Sequence, residues 1–244
     1  MKLYAVVCEA LARESYHAAS ESPHVVRLSV KEFGLHNQPD DLRASVQDEI
    51  DRASGGEYDA ILLAYGLCSR GTADLVARDT PLVIPRAHDC ITLLLGSNDR
   101  YQREFAEHPG TYYYSPGWIE RKEGEVSQGD FFVVKNVEAE ERLREYTELY
   151  GEENALYLME QESQWLAHYN RAVFINMGLG DVEYYRRFTE EVARSHEWSF
   201  EELAGDLRLV DLLFRGDWDP AEFLIVSPGQ RTIENVNLGI ISAV

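Results

Sequence analysis

Basic charge is scarce in this chain of 244 residues: 23 lysines and arginines stand against 43 aspartates and glutamates, a formal net charge of −20. Binding a polyanion needs clustered lysine and arginine that neutralise phosphates and release their counterions. The expectation is therefore no nucleic acid partner and no anionic membrane. Long apolar runs are also missing. No stretch approaches the ~20 apolar residues that span a bilayer. The opening Met1-Lys-Leu-Tyr-Ala-Val-Val-Cys8 is too short for a secretory signal, and the charged Glu9, Arg13 and Glu14 follow at once. A cytoplasmic protein is expected. Cysteine is rare as well, and three of them, an odd number, exclude a disulfide framework in such a chain.

What is present is an alternation of strand and helix patterns. Leu3–Cys8, His24–Val30, Tyr58–Ala64 and Pro81–Pro85 are short apolar runs rich in β-branched residues, which read as strands. Between them come helical patterns over Glu9–Ser20 and from Pro39 to about Ala53, the second with proline and acids in its first turn. A short helix is expected over Ala73–Arg78, and another over Ile91–Leu95, stopped by Gly96. The fold class is α/β: a parallel or mixed sheet with helices on both faces and right-handed crossovers. Asn98–Val134 is aromatic and turn-rich and reads as a long functional loop. Val137–Asn170 reads as two charged helices parted near Gly151. Strands over Ala172–Met177, Ser199–Leu203 and Phe223–Val226, with helices over Val182–Ser195 and Leu207–Phe214, restart the α/β pattern. Asp41-Leu-Arg43 and Asp206-Leu-Arg208 each precede an apolar strand with a glycine-bearing loop after it, a weak internal echo. The division expected is an N-terminal α/β lobe over 1–97, an insertion over 98–170 and a C-terminal α/β lobe over 171–244.

The chemistry gathers at strand ends. Cys8 closes the first strand, Cys68 follows the third and Cys90 follows the fourth. In a parallel sheet those ends share one edge, where ligands bind. Thiolates suit zinc, copper(I) or iron–sulfur, and three protein ligands leave one position open, as in catalytic zinc sites. The leading expectation is thus a zinc site of Cys8, Cys68 and Cys90. His88 is its fourth ligand, or a proton carrier just outside the ligands, or a helix-capping group. Glu9 serves as ligand or base, ranked below His88, and Asp89 is a further catalytic candidate. Two alternatives stand beside it: a non-catalytic carrier of a metal or cofactor, and a metal-free enzyme whose Cys68 or Cys90 thiolate is favoured by Arg70, Arg86 and a helix amino terminus. The same arginines are candidate anion binders, or partners of the surplus carboxylates. Tyr65, Tyr113 and Trp118 are ligand-binding candidates, the last two as part of an aromatic lid or platform. Gly178-Leu-Gly180 lacks the full dinucleotide spacing and reads as a tight turn. The remaining histidines, His17, His24, His36, His108, His168 and His196, show no ligand spacing.

Several of these residues recur in a family pattern. Tyr65-Gly-Leu-Cys68 with Gly71, Pro85-Arg-Ala-His88-Asp-Cys-Ile91, Leu94-Leu-Gly-Ser97, Gly110-Thr-Tyr-Tyr113, Pro116-Gly-Trp118 and Asn176 with Gly178-Leu-Gly-Asp181 resemble the domain-of-unknown-function 1638 family of bacteria and archaea. The loop after the third strand departs from that family's frequent Cys-Gly-Asn-Gly, reading Cys68-Ser-Arg-Gly71 here. The resemblance implies a small-molecule or cofactor ligand and a place beside corrinoid-dependent methyl-transfer proteins. There a thiolate-held zinc would activate a methyl acceptor.

Overall fold

The computed structural model describes residues 1–121, 139–235 and 240–244. In chain order the elements are β1 (Lys2–Cys8), α1 (Ala12–Glu21), β2 (Val25–Lys31), α2 (Pro39–Ala53), β3 (Ala60–Ala64), β4 (Leu82–Pro85), α3 (Cys90–Leu95), α4 (Asn98–Glu107), β5 (Thr111–Tyr114), α5 (Pro116–Arg121), α6 (Ala139–Tyr150) and α7 (Glu152–Leu166). Then follow β6 (Arg171–Asn176), α8 (Val182–Ser195), β7 (Ser199–Ala204), α9 (Arg208–Arg215), β8 (Phe223–Val226), β9 (Thr232–Asn235) and β10 (Ile240–Ala243). Single 3-10 turns cover Glu9–Leu11 and Leu35–Asn37. Two compact units emerge: Met1–Arg103 with Met177–Leu179 and Ala204–Val244, and Glu104–Asn176 with Gly180–Leu203.

The first unit is an α/β layer around a five-stranded sheet in the order β2-β1-β3-β4-β8. The first four strands run parallel and β8 closes the edge antiparallel to β4, pairing Leu82 with Val226 and Pro85 with Phe223. The sheet is therefore mixed. Strand residues alternate between faces, and Tyr4, Val6, Ile61, Leu63, Leu82 and Ile84 meet Leu42, Val46 and Ile50 of α2 in one buried cluster. Leu3, Val7, Leu62 and Val83, of the opposite parity, are equally buried, and α1 and α9 pack together on that side.

A buried carboxylate ties α2 to the sheet. Glu49 is only 4% exposed. It accepts hydrogen bonds from the Tyr4 hydroxyl and from Lys31 Nζ at 3.0 Å, and pairs with Arg52 at 2.8 Å. Burial alone would raise its carboxyl, but the hydrogen bonds from Tyr4, Lys31 and Ser29 outweigh it and hold the pKa at about 2.

Two sequence expectations change. The Ala73–Arg78 helix does not form. Its backbone is claimed elsewhere: Val76 exchanges hydrogen bonds with the Gln47 side chain, and the amides of Asp74 and Ala77 donate to the carbonyls of Thr232 and Gln230. The expected loop over Asn98–Val134 instead contains α4, β5 and α5, and its remainder, 122–134, lies outside the described residues. Thr111–Tyr114 becomes a strand because it finds a parallel partner, with Thr111 opposite Arg171 and Tyr114 opposite Phe174. Of the later strands, β6 and β7 belong to a three-stranded sheet ordered β5-β6-β7, while β8 joins the first sheet. The two charged helices parted at Gly151 are α6 and α7, with residues 137–138 of that expectation outside the described ones.

In the second unit Tyr112, Tyr114, Ile119, Phe174, Tyr185 and Val192 form the core. The buried Arg171 guanidinium is neutralised by Glu104 at 3.2 Å and Glu201 at 2.7 Å. Among the described residues no helix is long and apolar enough to cross a membrane.

Because the Glu49 pKa is depressed in the folded chain, its contribution is present at neutral pH and is lost as pH falls from 4.5 through about 2. Glu49→Gln is expected to cost about 3 kcal/mol at pH 7 and to flatten the acid limb of stability. Urea unfolding of both proteins across that pH range checks it.

Candidate functional site at the carboxyl ends of the strands

The order β2-β1-β3 means that the chain leaves β1 toward one side of the sheet and β3 continues it on the other. In open α/β sheets the loops part at such a reversal, and ligands bind outside the carboxyl ends there. In this chain the reversal lies between Cys8-Glu9 and the loop from Tyr65 to Thr72.

That loop is held by close backbone contact with the loop after β4. The Leu67 amide donates to the Ala87 carbonyl at 2.8 Å, and the Cys68 amide to the His88 carbonyl at 2.9 Å. A Cβ on Gly66 would lie 2.6 Å from the Asp89 Cα and backbone nitrogen, so only glycine permits the approach. The Thr72 hydroxyl then closes the loop by donating to the Gly66 carbonyl at 3.0 Å. Within it Cys68, Ser69 and Arg70 all have left-handed backbones, with φ of 46°, 54° and 71°. Each costs roughly 1–2 kcal/mol in a residue bearing a Cβ, and such strain gathers at functional sites.

Asp89 caps α3. Its backbone is extended and its carboxylate accepts from the Ile91 and Thr92 amides at 3.0 and 3.2 Å, while the Tyr101 hydroxyl donates to it at 3.0 Å. Burial raises the Asp89 carboxyl even so, against these hydrogen bonds. Glu9 accepts from the Phe33 amide at 2.9 Å. Tyr65 is buried, its hydroxyl has no hydrogen-bond partner among the described residues, and burial followed by the charges of Cys8, Cys68 and Glu9 pushes its phenol well up.

All three thiols are half-buried. Burial raises all three, Cys8 to about 11, with Glu9 adding to the effect at Cys8, and Asp89 and the neighbouring thiols at Cys68 and Cys90. The expected metal centre is overturned. Among the described residues no group of three or more His, Cys, Asp and Glu side chains is placed to hold a metal ion. The sulfurs lie within reach of one another's charge, which acts over several ångströms, but they do not converge to the spacing that bonds of ~2.3 Å to one zinc demand. The physical reason is local: one thiol ends a strand, one sits in a left-handed turn and one starts a helix behind its cap. His88 is exposed, with its ring stacked 5.8 Å from Tyr101. The metal-carrier alternative loses the same support, and burial, which raises all three thiols, works against a reactive thiolate.

The remaining expected site residues are dispersed. Arg86 donates to the carbonyl of Pro220, ahead of β8, and to that of Ile241 in the C-terminal hairpin. Arg70 pairs with Glu234 at 3.1 Å. Both arginines thus fasten β9–β10 to the rim. Tyr113 lies half-buried on β5 and Trp118 packs edge-on against Tyr112 at 5.6 Å, in the second unit. Tyr101, the partner of Asp89, was missed, because nothing in the spacing of an amphipathic helix marks which tyrosine reaches back to a cap.

Two outcomes are expected. Iodoacetamide labelling of Cys8, followed by mass spectrometry, continues to rise about tenfold per pH unit beyond pH 9, where a free thiol has levelled off. Ser69→Gly raises folding stability by about 1 kcal/mol in urea by relieving the left-handed turn.

The model of the family described as "Protein of unknown function (DUF1638)" matches residues 30–213. No curated protein and no solved structure matches.

Proposed function

The chain belongs to the DUF1638 family, and we propose that its function is to bind a small organic molecule in the crevice between the loops after β1 and β3. The observation that carries this reading is the Tyr65 hydroxyl, buried and without a hydrogen-bond partner among the described residues, beside the reversal in strand order. An unsatisfied buried hydroxyl costs about 1–3 kcal/mol, and a ligand with a hydrogen-bond acceptor would recover that loss. The left-handed Cys68-Ser69-Arg70 turn supports the same reading, because strain kept at a strand end is what a pre-shaped binding loop requires. The half-buried thiols of Cys8, Cys68 and Cys90 offer polarizable, weakly polar walls.

The test separates folding from binding. Tyr65→Phe leaves urea stability unchanged or raises it by about 1 kcal/mol, since an unsatisfied group is removed. In backbone amide NMR, neutral carbonyl-bearing fragments shift the signals of Gly66–Gly71 and Cys8–Ala10 in the unmodified chain and not in the variant. A clear loss of stability in Tyr65→Phe would mean that the hydroxyl has a structural partner. Shifts confined to the open cleft of 570 Å³ lined by Asp51, Ser54, Val76, Arg78, Asp79 and Gly229, at the amino end of β4, would relocate the site.

A further inference from the structure

The positions where an α/β rim usually seats a phosphate are filled here by the chain's own carboxylates. Anions bind such folds on the free amides at the start of a helix and on nearby arginines. At the start of α3 the amides of Ile91 and Thr92 are taken by Asp89 Oδ1. Past β1, Glu9 lies beside Cys8, and its carboxylate holds the Phe33 amide. The arginines are turned away, Arg70 to Glu234 and Arg86 to the carbonyls of Pro220 and Ile241. A second anion would meet two fixed carboxylates. Lysine gives no relief, since Lys31 is spent on Glu49 at 3.0 Å. Resting on the binding-site reading above, we infer that the crevice excludes phosphate and carboxylate groups and accepts an uncharged ligand, or the uncharged end of a larger one, bearing a carbonyl or hydroxyl acceptor for Tyr65. The field shown by the thiols agrees, because Asp89 raises both Cys68 and Cys90, and Glu9 raises Cys8.

A matched pair of reagents tests this on the full, folded chain. Iodoacetamide and iodoacetate differ chiefly in charge, and both react with the thiolate, so the raised pKa cancels in the ratio of their rates. With labelling of Cys68 and Cys90 followed by mass spectrometry, the iodoacetate-to-iodoacetamide ratio is expected to fall about tenfold below that of a free thiol, the size of one nearby like charge at partial burial. Asp89→Asn and, independently, Glu9→Gln move the ratio back toward the free-thiol value, and millimolar inorganic phosphate protects neither cysteine. An undiminished ratio, or protection by phosphate, overturns the inference and leaves the binding site standing. Failure of both reagents to label the folded chain, with full labelling after unfolding, overturns the crevice itself.

Discussion

The rim depends on one close contact, the approach of Gly66 to the backbone of Asp89. With a Cβ placed 2.6 Å from that backbone, any other residue would push the loops after β3 and β4 apart and break the two hydrogen bonds from Leu67 and Cys68. Those bonds set where the left-handed turn begins and where the α3 cap sits. Tyr65, Cys68, Asp89 and Cys90 are therefore positioned as a group, by main-chain geometry more than by their own side-chain contacts. The arginine links to β9–β10 add an outer brace.

In the helices beside the first sheet, local choices agree with one another. Pro39 and two aspartates start α2, Leu42, Val46 and Ile50 face the sheet, and Gly96 ends α3 in a left-handed cap. At the rim three consecutive residues with side chains hold left-handed backbones, and among the described residues the buried Tyr65 hydroxyl has no hydrogen-bond partner. Departures from local consistency that cluster at one place mark function more often than chance.

Much of the layout was legible in the chain. The β-branched runs and helical spacings located β1 to β4, α8 and α9 within a residue or two, because burial on one face writes a period of 2 or 3.6 into the sequence. That Cys8, Cys68 and Cys90 follow parallel strands was equally readable. What the sequence could not give was the direction of each side chain over the last few ångströms. His88 and Cys90 are two residues apart, yet the cap at Asp89 stands between them and leaves His88 exposed. Arg70 and Arg86 looked like anion binders, but their partners, Glu234 and the carbonyls of Pro220 and Ile241, lie far along the chain. The missing helix at Ala73–Arg78 has the same origin, since residues distant in sequence satisfy that backbone.

The edge pairing of β8 with β4 has a consequence for how the chain is made. β4 is translated early, whereas its partner emerges only after the whole second unit has been synthesised. During that interval β4 presents an unpaired edge, a template for other strands. The strand is four residues long and its last residue, Pro85, has no amide to offer a stray partner. Its brevity and that proline protect the nascent chain until the final strand arrives.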